Sequence, residues 1–356
     1  LKHLELHLLA LRYDFDLSDA TAYNMQFSED LPIHIDPPSI KPYKDGSHWV
    51  GYSQFCKQFL NPLLIECHCG IPFQNIFRGN YGGIDSREAR KLIPPFNRYL
   101  NINILMHVEM QARALMKYSS STPSGDSRVQ SSLPKNRYVN MVEGMRHFIE
   151  SLHSTKRNQS FWGSYSKINS YSDNESHLKR ATVTEIVQAW GSKKVLDIGG
   201  NSGDFSVAAI QGGAEMVVCL DSDLDALELA YQKRIEGGYK IFPMVGDWMN
   251  PSPAQGWGYA ERKSFGERIC VDAVLALAII HHVVIGGNIP LSDFIDSLTA
   301  ISDKVIVEFV PKDDPMVCGL LKNRDDIFSD YSVENFRQLL SQRFSEICEH
   351  VLRQNG

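Results

Sequence analysis

Residues Val195–Ser206, VLDIGGNSGDFS, are an apolar run that breaks into a glycine-rich turn and then resumes as a second apolar stretch. The pattern predicts strand, turn and helix, and the segments around it repeat the alternation. Residues 176–190 carry helical spacing, followed by the strand of 194–199, the helix DFSVAAIQGG and the strand MVVCLDSD. Next come the helix LDALELAYQKRIEGG, the strand FPMVGD, a long loop, the strand CVDAVLALA, a helical stretch and the strand KVIVEFV. Strands apolar on both faces and alternating with helices imply a Rossmann-like, doubly wound, mostly parallel α/β sheet. Such sheets bind ligands beyond the carboxyl ends of their strands, near the point where strand order reverses.

The turn excludes two phosphate-binding readings. A P-loop needs a lysine after its second glycine, and Asp204 stands after Gly203. A dinucleotide fingerprint needs a glycine two residues after Gly199, and that position is Asn201. Asp197 at the strand end would also repel a pyrophosphate, so the turn calls for a ligand with positive charge. S-adenosylmethionine brings an ammonium and a sulfonium. Gly199, Gly200 and Gly203 would let the main chain approach it, with Asp197 facing the ammonium. Asp221 ends the next strand, where a carboxylate can accept both ribose hydroxyls, with Ser222 beside it. Asp247 ends the third and can accept from the adenine amino group, with Trp248 alongside for stacking and Leu277 on the fourth strand lining the site. Taken singly, Asp221 or Asp223 reads as a helix cap. Three carboxylates at successive strand ends are much more specific.

These stretches resemble the successive cofactor motifs of class I S-adenosylmethionine-dependent methyltransferases. DWMNPSPAQGW (247–257), LALAIIHHVVIGGNIPL (275–291) and VEFVPKDDPMVCGLLKNRDDIFSDY (307–331) are further similar to the long motifs of NoeA-like methyltransferases. So are SDATAYNMQF (18–27) and WVGYSQFCKQFLNPLL (49–64). The resemblance implies that Asp197, Gly199, Asn201, Gly203, Asp221 and Asp247 are cofactor positions.

Methyl transfer is an in-line displacement, so the protein's task is to position the nucleophile and, where needed, to take its proton. His281 and His282 at the fourth strand end are the candidate bases, and adjacent side chains diverge, so only one is expected to face the site. Orientation of the loop is the blander role for both. Asn250 and Trp257 are expected in a lid stiffened by Pro251 and Pro253, with Trp257 as its apolar cover. Glu308, a charge inside an apolar strand, is expected either to pair with Arg324 or Lys312 or to face the acceptor. The aromatic set Phe161, Trp162, Tyr165 and Tyr171 is a candidate flap or a satellite core.

Residues 1–118 read as an α+β accessory domain with helices over 1–12, 49–70 and 101–118 and a strand at 31–36. Residues 119–136, with seven serines, read as a linker, and 137–175 as a helical connection before the cofactor domain of 176–356. Asp19, Asn24 and Asp36 are similar in spacing to the catalytic-loop and metal-binding residues of protein and aminoglycoside kinases. However, the preceding histidine, the Phe-Gly after the last aspartate, a glycine-rich loop and a strand lysine are missing. A degenerate kinase-like half-domain is the expectation that remains. The chain opens on Leu1 inside a helical pattern, as one lacking its native N-terminus would.

At 356 residues and 43% hydrophobic the chain can bury two cores, and no stretch has the length of a membrane-spanning helix. Seven scattered cysteines form no C-x-x-C pair, which fits a reducing cytoplasm. Glu66-Cys67-His68-Cys69 lacks a second ligand pair, so no metal is expected. Net charge is −6, with residues 176–356 at −8 (17 basic against 25 acidic) and residues 1–175 at +2 (19 against 17). An acidic cofactor domain disfavours nucleic acid and favours a small-molecule or carbohydrate acceptor. Two other classes fit the same strand ends: a regulatory protein that holds S-adenosylmethionine without turning it over, and a nucleotide-cofactor oxidoreductase.

Overall fold

A computed structural model describes residues 1–28, 31–120, 132–152 and 173–352. The chain divides into two compact units, Leu1–Asn158 and Gln159–Gly356. The aromatic set 161–171 and most of the serine-rich segment lie outside the described residues.

The first unit is α+β. Strand β1 (Phe15–Leu17) pairs antiparallel with β4 (Ile40–Pro42), and β2 (Met25–Ser28) with β3 (Leu31–His34). Helix α1 (Lys2–Arg12) buries Leu4, His7 and Leu11 along one face, the i, i+3, i+7 stripe of an amphipathic helix. Helix α2 (Asn61–Cys69) ends where Gly70 turns left-handed at φ 68°, the stop its sequence predicts. Helix α3 (Lys135–Glu150) buries Tyr138, Val142, Met145 and Phe148 in the same core as Leu4 and Leu64. It therefore belongs to the first unit and is not a connection between domains. Tyr138 anchors it, donating to Asp16 at 2.8 Å, while His7 meets the same carboxylate at 2.7 Å.

The sequence's kinase-like spacing has a local counterpart. The β2–β3 hairpin returns the chain so that Asn24 Nδ2 donates to Asp36 Oδ2 at 3.2 Å. Asp19 instead accepts from the Thr21 amide, closing its own turn.

The second unit is a five-stranded parallel sheet, β5 (Lys194–Ile198), β6 (Met216–Asp221), β7 (Ile241–Val245), β8 (Ala273–Ala276) and β9 (Val305–Val307), in the spatial order β7-β6-β5-β8-β9. Alternate residues serve opposite faces. Leu196, Ile198, Val218, Leu220, Val274 and Ala276 enter one core; Val195, Val217, Ala273 and Leu275 enter another. The first face is covered by α7 (Leu291–Thr299) and α8 (Val333–Arg343) through Phe294, Leu298 and Phe336. The second is covered by α4 (Asp173–Trp190) and α5 (Asp204–Gln211) through Val183, Val187, Ala208 and Ala209, while α6 (Leu224–Gly237) packs on β6 and β7. Helices on both faces make the sheet doubly wound. Strand order reverses between β5 and β8, so the site belongs above the carboxyl end of β5.

Candidate active site

Asp197 stands one residue before the end of β5 and is 1% exposed. Its Oδ2 accepts from Ser206 Oγ at 2.6 Å, whereas its Oδ1 is buried with no hydrogen-bond partner among the described residues. Burial pushes the carboxyl up, Ser206 opposes this, Asp221 adds to it and Lys179 opposes it; the outcome is about 6. An acceptor oxygen buried without a donor is costly unless something arrives to satisfy it.

The turn above it is held by the next strand. The amides of Gly199 and Gly200 both donate to Leu220 O, at 2.9 and 3.1 Å. Gly199, Asn201 and Gly203 lie at φ 68°, 47° and 77°, and the asparagine tolerates the left-handed region better than most residues. The glycines also have packing reasons that the sequence reading did not include. A Cβ on Gly200 would stand 2.6 Å from Cys219 Sγ, and one on Gly199 would stand 2.9 Å from the Ile279 side chain.

Asp221, at the end of β6, accepts from the Asn201 amide at 2.9 Å and the Asp223 amide at 2.8 Å. It thus shapes the turn while each oxygen keeps a further lone pair for a ligand. Burial pushes its carboxyl up, partly offset by the Asp223 and Asn201 amides. Asp223 is the cap of α6, accepting from Asp225 and Ala226. Ser222 between them is exposed. Asp247, two residues past β7, is half-buried and accepts from the Met249 amide. Leu277, 8% exposed, belongs to the core of the second face.

Several expectations change. Trp248 is committed to structure: Nε1 donates to Ser297 Oγ at 3.1 Å and the ring meets Phe265 edge-on. Trp257 is 88% exposed on a small loop closed by the Gln255–Arg262 bridge, so it covers nothing in this conformation. Asn250, between β7 and that loop, is exposed. The two histidines do not diverge. Their ring centroids lie 4.1 Å apart, because the chain passes through Ala278 at φ 51° and enters a π-helical turn at His282–Gly286. His281 is 2% exposed, neither ring nitrogen has a partner among the described residues, and burial, then His282 and Lys179, push it down to about 3. Burial also lowers His282. A ring this weakly basic is a poor general base and a good neutral hydrogen-bonding group.

Glu308 pairs with neither Arg324 nor Lys312. Arg324 caps the π turn through Ile285 O and Asn288, and Lys312 pairs with Asp326. The partner is Lys179 of α4, whose Nζ lies 2.5 Å from Glu308 Oε2, with both side chains almost fully buried. The sequence reading missed Lys179, although its signal is present: Lys179, Val183 and Val187 are spaced i, i+4, i+8, so a lysine occupies the helix's apolar stripe. A surface hollow of ≈ 470 Å³ lined by Arg180, Asp204, Lys233 and Tyr239 lies nearby but includes neither Asp197 nor His281. The unpartnered buried groups locate the site better than that hollow.

The fold defines the class: a Rossmann-like, doubly wound α/β domain whose acidic strand ends meet at the switch point. No family model matches the chain. It is 39% identical over 352 residues to the nodulation protein NoeA of Rhizobium meliloti (strain 1021), covering 98% of this chain and 74% of that protein. The chain belongs to the NoeA family. Among solved structures, the bifunctional kinase-methyltransferase WbdD matches 56% of this chain at 17% identity and a TM-score of 0.35; the chain spans 40% of WbdD. The N-terminal domain of EvdMO1, crystallised with SAH and D-fucose, matches 41% of this chain and 56% of its own at 15% identity and a TM-score of 0.29.

Proposed function

We propose that the chain is an S-adenosylmethionine-dependent methyltransferase acting on an oxygen or nitrogen of a small-molecule or carbohydrate acceptor. The observation that carries this reading is the buried, unpartnered Oδ1 of Asp197 at the switch point, an acceptor that the cofactor's ammonium would satisfy. Asp221 would take the ribose hydroxyls and Asp247 the adenine amino group. Bound there, the cofactor supplies a methyl group activated by its sulfonium. His281 then offers a neutral nitrogen to orient the acceptor, in a site whose burial excludes water. The acidic balance of residues 176–356 supports an acceptor other than nucleic acid.

S-adenosylhomocysteine is expected to raise the thermal midpoint, by the equivalent of about 2.7 kcal/mol at a hundredfold excess over Kd, and NAD to leave it unchanged. Selective stabilisation by NAD would replace this reading with an oxidoreductase. Asp221→Asn keeps the shape of the turn and should weaken S-adenosylhomocysteine by roughly 10- to 100-fold in calorimetric titration, the worth of hydrogen bonds to a charged group. Unchanged affinity would remove Asp221 from the ribose site.

The same titration against pH tests Asp197. The ammonium needs the ionised carboxylate, and the free protein's carboxyl titrates at about 6. Affinity should be flat above pH 7 and fall about tenfold per pH unit below 6. A flat profile from pH 5 to 7 would mean that the ligand does not use this charge.

A further inference from the structure

Lys179 occupies an unusual position for a lysine. Its side chain is 4% exposed, and its Nζ lies 2.5 Å from Glu308 Oε2 and 4.5 Å from the ring centroid of Phe205, whose neighbour Ser206 donates to Asp197 Oδ2 at 2.6 Å. Helix α4 thus meets the residue after β9 and the first turn of α5 at this lysine, and that same turn reaches the end of β5 through Ser206. Burying an ammonium is expensive even when paired, and a pair of this kind stabilises a fold little better than apolar residues of the same size would. Lys179 and Glu308 are therefore poorly explained as a structural brace alone. Asp197 adds the second observation, since its Oδ1, like both nitrogens of His281, is buried with no hydrogen-bond partner among the described residues.

We propose that Lys179 receives the carboxylate of the cofactor's amino-acid end, leaving Glu308 as it does so, and that Glu308 is thereby freed to accept a hydrogen bond from the methyl acceptor. This rests on the cofactor reading above and deepens it. The ammonium and the carboxylate of an α-amino acid are attached to one carbon skeleton a few ångströms apart. A ligand whose ammonium meets Asp197 must therefore place its carboxylate within the same small volume, where Lys179 already holds a fixed positive charge. The charges also close. Ionised Asp197, Lys179 and Glu308 sum to one negative charge, and the ligand's ammonium, carboxylate and sulfonium sum to one positive charge. Loading would therefore break one ion pair, Lys179–Glu308, and form two, Asp197 with the ammonium and Lys179 with the carboxylate, with Glu308 and the sulfonium left as opposite charges. It follows that the acceptor's anchor becomes available only after the cofactor is in place.

The test is calorimetric titration of the full chain with two probes, S-adenosylhomocysteine and 5′-methylthioadenosine, which lacks the amino-acid end. Lys179→Met should weaken S-adenosylhomocysteine tenfold or more and leave 5′-methylthioadenosine within about threefold. Glu308→Gln removes the competing carboxylate and should leave S-adenosylhomocysteine as tight or several-fold tighter. Equal loss of both probes in Lys179→Met would make the lysine a structural residue, and weaker S-adenosylhomocysteine in Glu308→Gln would overturn the exchange even if Lys179→Met failed to fold. Wild-type protein that binds neither probe would instead bring down the cofactor reading, and this inference with it.

Discussion

Asp197→Asn is expected to stabilise the ligand-free protein while abolishing measurable binding of S-adenosylhomocysteine. The two effects have one cause. The carboxyl is buried and sits at about 6, above its ordinary 3.8, because burial penalises the charged form. A group raised in this way contributes stability below about pH 4 and loses it as pH rises through 6, so at pH 7.5 the ionised side chain is a net cost to the fold. The difference corresponds to at most about 3 kcal/mol. Asparagine has the same shape, can still accept from Ser206, and carries no charge to desolvate. The thermal midpoint should rise by a few degrees. In the complex, the same substitution leaves the ligand's ammonium buried without its counter-charge, a loss of about 3–5 kcal/mol and so more than about 100-fold in Kd. A lower midpoint in the variant would mean that Asp197 is satisfied in the free protein. Retained binding would mean that the ammonium lies elsewhere. Sites that cost stability where they bind are a common trade between function and fold.

Much of this was legible before the structure, and the parts that were share a physical reason. The β5 turn, α5, β6 and α6 are local: each is specified by periodicity within about fifteen residues and by a breaker at its end, as with Asp223 capping α6 and Gly203 ahead of α5. Carboxylates placed at strand ends follow directly from those boundaries. What escaped depends on distant partners or on backbone exceptions. Trp248 reaches Ser297 across 49 positions, and Tyr138 reaches Asp16 across 122, which is why the sequence of α3 reads as a connection and not as part of the first core. The close approach of the two histidine rings follows a positive φ at Ala278, a residue type that gives no warning of one. Lys179 was readable from its stripe, but Glu308, 129 positions away, was not readable as its partner.

The first unit carries the other large expected effect. Glu109 is fully buried at the end of a helical segment and accepts from Arg90 Nε at 2.9 Å, Arg113 Nε at 2.8 Å, Arg98 Nη1 and the Tyr99 hydroxyl at 3.3 Å. Burial pushes its carboxyl up, and the three guanidinium groups outweigh that and bring it down to about 2. Glu109→Ala would leave Arg98, itself only 8% exposed, with its charge buried and unmatched. The expected cost is about 3–5 kcal/mol. In urea this should move the midpoint of the first unit down by about 1–2 M, given a slope of about 2.5 kcal/mol per M. Arg113→Ala should cost under about 1 kcal/mol, since its side chain is 59% exposed and two other cations remain on the carboxylate. The pH dependence follows the same balance: a carboxyl lowered from 4.5 to about 2 contributes its full stability above pH 4.5 and loses it as pH falls towards 2. A midpoint shift below about 0.5 M for Glu109→Ala would show that the guanidinium groups find water or other partners when the carboxylate is removed.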